Sequence, residues 1–113
     1  MRKVCLDEIG FADFTEVLNT AFCVWLDPAT RLEFKLVEAK AHRQGVPVKP
    51  TEKTTPGENF SLIFSGPANR PLSQKMYTFE HEQIGVFDLF IVPIGKEPDG
   101  FRYEAVFNRT ARA

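Results

Sequence analysis

The hydrophobic pattern of the first third of the chain changes from a helical period to a strand period. Apolar side chains recur at intervals of three and four residues at Phe11, Phe14, Val17 and Leu18. This spacing predicts one short amphipathic helix over residues 11–18, with Asn19 as its stop. Beyond it, apolar and polar positions alternate, as in strands whose side chains point to opposite faces in turn. The predicted strands cover 21–26, 31–36, 60–65, 76–81, 86–94 and 101–108.

The second predicted strand contains a slip in its alternation. Leu32, Phe34 and Leu36 are apolar at even positions, whereas the next apolar residues stand at odd positions: Val37, Ala39 and Ala41. A slip of one residue exchanges the two faces of a strand, so a straight strand cannot bury both halves. We therefore predict a β-bulge or a sharp bend at Leu36-Val37.

The order of these elements predicts a mainly β protein. About six antiparallel strands and one short N-terminal helix, without the βαβ spacing of a parallel sheet, favour a small barrel or a sandwich. A length of 113 residues is typical of a single domain, here 1–113. Residues 43–58 are rich in proline, glycine and polar residues, which predicts a long exposed loop. Phenylalanine, with 11 residues, should supply much of the core.

Charge and composition narrow the classes of partner. The chain has 14 Lys+Arg against 15 Asp+Glu, a net charge of −1, so we expect neither a nucleic-acid partner nor a membrane partner. Acidic residues follow Arg2 and Lys3 where a secretory signal would be apolar, so we expect a cytoplasmic protein. The two cysteines, Cys5 and Cys23, are expected to be reduced thiols.

No catalytic, metal or cofactor motif is present in the sequence. The triplet Glu80-His81-Glu82 offers ligand types, but neighbouring residues of a strand point to opposite faces and do not chelate together. Cys23, His42 and Asp88 supply the residue types of a nucleophilic triad, yet no motif brings them together. We therefore expect no enzyme activity, no cofactor and no metal.

The strand predicted over 86–94 is apolar on both faces. Val86, Phe90, Val92 and Ile94 share one face, and Phe87, Leu89 and Ile91 share the other. Only one of these faces can line a core, so the other must be covered. The short helix is the favoured cover, and the long loop and another chain are the alternatives.

Asp88 interrupts that apolar strand. A buried carboxylate is costly unless it is paired or hydrogen-bonded. We expect a bond to a backbone amide or to Arg102 on the neighbouring strand, and the alternative is a place in a binding pocket.

Most of the chain resembles a known family. The resemblance rests on Phe60-Ser61-Leu62-Ile63-Phe64-Ser65-Gly66-Pro67, Arg70-Pro71-Leu72, Tyr77-x-Phe79-Glu80-His81, Phe87-Asp88-Leu89-Phe90-Ile91-Val92-Pro93-Ile94-Gly95 and Asp99-Gly100-x-Arg102-Tyr103-Glu104-Ala105-Val106-Phe107-Asn108. The sequence resembles a family of small bacterial proteins known as domain of unknown function 6916. The resemblance implies a neighbourhood of phage-tail-collar-like proteins, and hence a tail-like or surface assembly. The matching motifs are structural, so the resemblance implies no catalytic residues.

Two functional hypotheses follow. The first is a non-enzymatic structural or protein-interaction module that binds itself or a larger protein, by edge-strand addition or by an apolar patch. The patch would comprise Ile63, Val86, Phe90 and Val92. The second is a small-ligand-binding β-barrel with an unidentified ligand. Its pocket would be lined by Trp25, Tyr77, Asp88 and Tyr103.

Overall fold

A computed structural model describes residues 3–41 and 59–108 of the chain. The predicted loop over 43–58 and His42 lie outside these residues. A short 3₁₀ turn, Leu6–Glu8, precedes the helix α1, Phe11–Thr15. Six strands follow: β1 Ala21–Asp27, β2 Thr30–Ala41, β3 Asn59–Gly66, β4 Lys75–His81, β5 Gly85–Glu97 and β6 Gly100–Asn108.

The helix α1 is shorter than the apolar spacing predicts. The Asp13 carboxylate accepts the Gly10 backbone N–H at 2.8 Å and so caps the first turn. The helix ends at Thr15, and the following residues form a turn that closes at Asn19, whose φ is +67°. Asparagine tolerates this left-handed conformation better than most residues, which explains the stop at this position.

The six strands form one closed antiparallel barrel in the order β1-β2-β3-β6-β5-β4. This arrangement confirms the mainly β class and selects the barrel over the sandwich. The long strand β5 serves two neighbours in succession. Its first half, Gly85 to Ile91, pairs with β4, and its second half, Val92 to Glu97, pairs with β6. This division determines which residues meet across the outer surface.

The predicted irregularity in β2 is a β-bulge at Val37. Leu36 pairs with Phe64, whereas Glu38 pairs with Ile63, so Val37 has no counterpart on β3. The backbone of Leu36 also binds the segment after α1. Its N–H donates to the Thr20 carbonyl at 3.2 Å, and its carbonyl accepts the Asn19 N–H at 2.7 Å. The bulge therefore anchors the chain between the helix and the barrel.

Aromatic rings fill the interior of the barrel. Phe34 stacks on Tyr103 with ring centroids 5.0 Å apart, and Phe22 meets Phe64 edge to face at 5.4 Å. Such stacked and edge-to-face pairs are the favoured geometries of aromatic contact. The fully buried rings are Phe14, Phe22, Phe34, Phe60, Phe64, Phe79, Phe87 and Tyr103. The interior is consequently a packed core.

The helix α1 closes one end of this barrel. The Phe14 ring is fully buried and lies 5.7–6.1 Å from the rings of Phe60, Phe87 and Phe107. The expectation that the helix covers the outer face of β5 is therefore wrong. The helix contacts the inner face of β5 at the barrel end, and Phe90 on the outer face remains 45% exposed. Neither helix in the described ranges is long and apolar enough to cross a membrane.

We predict that Phe14→Ala lowers the free energy of unfolding by about 3–5 kcal/mol, because it leaves a cavity among three other rings. Leu18→Ala, at an exposed position beyond the same helix, should cost about 1 kcal/mol or less. Urea unfolding followed by circular dichroism measures both. Equal losses in the two variants would contradict the role of Phe14 in closing the barrel.

We predict that Gly100→Ala destabilises the fold by about 1–3 kcal/mol. Gly100 has a φ of +151°, and a Cβ atom there would overlap with the Gly66 carbonyl oxygen. Gly95→Ala is the matched control, because a Cβ atom at Gly95 meets no atom within 4 Å. Thermal unfolding should lower the Tm of the first variant and leave that of the second nearly unchanged.

Candidate functional site

An exposed apolar patch lies on the outer wall of the barrel. Phe90 on β5 is directly opposite Met76 on β4, and the two side chains are 45% and 55% exposed. Val92 follows Phe90 on the same face and is opposite Glu104 on β6, which in turn is opposite Ile63 on β3. Val92 and Ile63 are half-buried. Because Glu104 lies between Val92 and Ile63, we call only Met76, Phe90 and Val92 the outer apolar patch.

Two of the four residues predicted for an interaction surface, Phe90 and Val92, thus share this patch, and Ile63 and Val86 do not. Val86 is half-buried and lies opposite Glu80, with Asp88 between it and Phe90 on the outer face. The N-terminal segment runs alongside it. Lys3 forms a parallel bridge with Val86, and the Val4 N–H donates to the Val86 carbonyl at 2.8 Å. Val86 therefore serves to attach the N-terminal segment.

Asp88 is an exposed residue, and its expected bond to Arg102 is wrong. Its carboxylate accepts the Thr78 hydroxyl at 2.9 Å and pairs with the Lys3 ammonium at 3.3 Å. Arg102 pairs instead with Asp99 at 3.1 Å, a hydrogen bond that lowers the pKa of Asp99. The reason is the division of β5, since Asp88 lies in the half that pairs with β4 rather than with β6.

The structure does not bring the four predicted pocket residues together. Trp25 is half-buried on the outer face, where its Nε1–H donates to Glu80 Oε1 at 3.0 Å. Asp88 is on the outer face as well. Tyr77 and Tyr103 point into the barrel, so the wall separates the two pairs.

Both tyrosine hydroxyls form hydrogen bonds with backbone groups. The Tyr77 hydroxyl donates to the Ser73 carbonyl at 2.9 Å, and the Tyr103 hydroxyl accepts the Leu72 N–H at 2.8 Å. Burial raises the pKa of Tyr103. These bonds hold the segment before β4 against the barrel, which is a structural role.

A surface cleft of about 210 Å³ lies at the end of the barrel that α1 closes. Its apolar lining comes from the N-terminal segment, the helical region and the β4–β5 turn, namely Val4, Ile9, Val17 and Ile84. Its polar lining comes from the same three regions, namely Glu8, Asp13, Glu16 and Gln83. We call this feature the α1 cleft.

A buried histidine connects the segments that form this cleft. The Gln83 N–H donates to His81 Nδ1 at 3.1 Å, so the ring proton must reside on Nε2. That Nε2–H donates to the Thr20 hydroxyl at 2.8 Å, and Thr20 donates in turn to the Val17 carbonyl. The His81 ring also packs against Phe22, with centroids 4.5 Å apart. The neutral imidazole therefore holds the β4–β5 turn to the turn after α1.

Protonation of His81 is unfavourable in this position. Burial lowers its pKa below the ordinary value of 6.5, and the Glu82 carboxylate opposes that shift only in part. A proton on Nδ1 would also place two donors against each other at the Gln83 N–H. Glu80, the other acidic neighbour in sequence, faces outward toward Trp25, as the strand alternation predicts.

The other residues considered for a nucleophilic site do not come together. Cys5 is exposed and Cys23 is half-buried, and both are free thiols. Cys23 lies opposite Glu80 on β4, whereas Asp88 lies one strand further on, in β5. Within residues 3–41 and 59–108, no group of three His, Cys, Asp or Glu side chains is placed to bind a metal ion.

Two features were not predicted from the sequence. Met76 could have been placed on the outer face, because it shares its parity with the polar residues Thr78 and Glu80. The α1 cleft had no such signal. Its residues come from segments about 70 positions apart, and their meeting depends on the closure of the barrel.

The family model described as a domain of unknown function, DUF6916, matches residues 9–107. The chain therefore belongs to this family, and the resemblance drawn from its turns and aromatic alternation is confirmed at that level. No curated protein and no solved structure matches the chain.

We predict that acid weakens the fold through His81. The unfolded chain binds a proton near pH 6.5, whereas the folded chain, with its lowered pKa, does not. The contribution of His81 to the free energy of unfolding is therefore fully present above about pH 7. It decreases as the pH falls through about 6, until His81 becomes protonated in the folded state as well. Urea unfolding at a series of pH values measures this slope.

The variant His81→Gln should lose most of that slope, because it removes the group with different proton affinities in the two states. The variant His42→Gln is the matched control and should retain it. A slope that survives in His81→Gln would show that other groups cause the acid sensitivity.

Proposed function

We propose that the chain is a non-enzymatic structural module that assembles with further copies of itself through the outer apolar patch. The observation that carries this proposal is the direct pairing of Phe90 and Met76 across β5 and β4, with each side chain about half exposed. Isolated exposed apolar residues are common, but a contiguous patch is typical of an interaction surface.

The energy of covering this patch supports association. A phenylalanine side chain buries 150–250 Å² when fully covered, so the exposed part of Phe90 corresponds to roughly 90 Å². At about 25 cal/mol per Å², its burial contributes roughly 2 kcal/mol for each copy. In a two-fold interface the same patch on both subunits would contribute, which doubles this amount.

The packed interior favours this proposal over a small-ligand-binding barrel. Aromatic rings occupy the space in which such barrels hold a ligand, and Tyr77 and Tyr103 use their hydroxyls to bind backbone groups. The remaining apolar surface of β5 points outward. It is suited to a protein partner rather than to an enclosed small molecule.

We further propose a phage-tail-like or surface assembly as the setting, formed from chains made in the bacterial cytoplasm. Such assemblies repeat one contact between small modules, and a self-complementary or head-to-tail patch provides it. The genomic neighbourhood implied by the family resemblance supports this setting. Neither a nucleic acid nor a membrane is required for it.

Light scattering coupled to size-exclusion chromatography tests the proposal under reducing conditions and over a range of concentrations. The wild-type chain should elute as a discrete oligomer. Phe90→Asp should elute near 12.8 kDa with an unchanged circular dichroism spectrum, because a charge in the patch opposes its burial. Leu18→Asp, at an exposed apolar position outside the patch, should remain oligomeric.

A monomeric wild-type chain over the whole range would overturn the proposal, as would an oligomer that Phe90→Asp leaves intact. If Phe90→Asp unfolds, Met76→Asp provides the second test, because Met76 is more exposed and belongs to the same patch.

A further inference from the structure

The α1 cleft combines an apolar floor with an acidic rim. Ile9 and Val17 are buried beneath it, and Val4 and Ile84 are half-buried at its sides. Glu8, Asp13 and Glu16 are exposed around it. We infer that this cleft receives the side chain of a lysine residue presented by a partner protein, with the aliphatic stem on the floor and the ammonium group among the carboxylates.

The size of the cleft suits a single side chain. Its volume is about 210 Å³. Pockets for cofactors and drug-sized ligands typically occupy about 300–1,000 Å³. The smaller volume of this cleft is suited to one long side chain.

The charge of the cleft selects a cation. In the ranges that the structure describes, the ion pairs are Lys3–Asp88 and Arg102–Asp99, and neither involves a carboxylate of the cleft. The chain has no lysine or arginine from Val4 to Thr30, and Lys3, which directly precedes the cleft residue Val4, is paired with Asp88. Glu82 adds a further carboxylate in the β4–β5 turn.

The roles of the three rim residues differ. Asp13 already accepts the Gly10 N–H at the start of α1. Glu8 and Glu16 have no side-chain bond or ion pair in the described part of the chain, which leaves their oxygens available. The three carboxylates are not placed to hold one metal ion together. An ammonium group at the rim would therefore contact one of them and interact with the other two over a longer distance.

Lysine matches both parts of this site. Its four-carbon stem packs on apolar surface while its ammonium group remains near polar partners and water. A charged pair at the surface contributes modestly, so we expect each carboxylate to change the affinity by about two- to fivefold. The site therefore favours a partner's lysine whose side chain lies along the cleft, with the stem on the apolar floor and the ammonium group at the rim.

NMR titration of the 15N-labelled chain tests this inference with two matched probes. N-acetyl-lysine methylamide carries the stem and the charge, and N-acetyl-norleucine methylamide carries a stem without the charge. The lysine probe should produce saturable shifts of the Val17 and Ile84 amides, and the norleucine probe should bind more weakly. Glu8→Gln and Glu16→Gln should each weaken the lysine probe by about two- to fivefold.

The matched control is Glu33→Gln, an exposed residue of β2 that does not line the cleft. Its affinity for the lysine probe should equal that of the wild type. Absence of saturable shifts at Val17 and Ile84, equal binding of both probes, or equal weakening by Glu33→Gln would each overturn the inference. Tighter binding of free putrescine than of the lysine probe would assign the cleft to a small amine and also overturn it.

This test is independent of self-assembly. The titration measures amides of the cleft and does not involve Phe90 or Met76. A failed titration therefore leaves the outer apolar patch as proposed, and a monomeric chain leaves the cleft open to the same measurement.

Discussion

The barrel depends on filling a closed interior with aromatic rings. Six strands enclose a space that Phe22, Phe34, Phe64 and Phe79 occupy in edge-to-face and tilted contacts. Because protein interiors are packed to near crystal density, these rings and the other buried aromatic side chains together leave no room for a second apolar face of β5. The second apolar face of β5 must therefore point outward. The open end of the barrel, in turn, requires a plug, and Phe14 brings α1 into that position.

The local hydrophobic pattern of the sequence predicts the helix and the strands. It does not predict which strands lie next to each other. Alternation placed the strands, and the slip at Leu36-Val37 placed the bulge, because both depend on residues close in sequence. The error at Asp88 arose from a non-local feature. A strand of thirteen residues can change partner along its length, and β5 does so at Val92. The alternation of side chains along the strand is by itself enough to indicate that Asp88 faces away from Phe87 and Leu89.

The end of the barrel closed by α1 is held differently from the rest. Besides aromatic packing, this end is held by single hydrogen bonds that involve Leu36, Thr20 and His81. Such polar links are directional, and each fixes one segment relative to another. The α1 cleft exists because these links hold three separate segments side by side. Its geometry is therefore more sensitive to protonation than the outer wall, where strand pairing fixes the side chains.

The two proposed surfaces differ in what they contribute to association. Covering Phe90 removes apolar area from water, which is non-directional and insensitive to moderate salt. An ammonium group among exposed carboxylates gains little free energy and is screened within about 8–10 Å at physiological ionic strength. The outer apolar patch would then set the affinity between copies of the chain. The α1 cleft would set orientation and partner choice, since complementary charges act mainly on specificity and on the rate of encounter. A module with one contact of each kind can bind further copies of itself through apolar contact and can select a partner protein through charge.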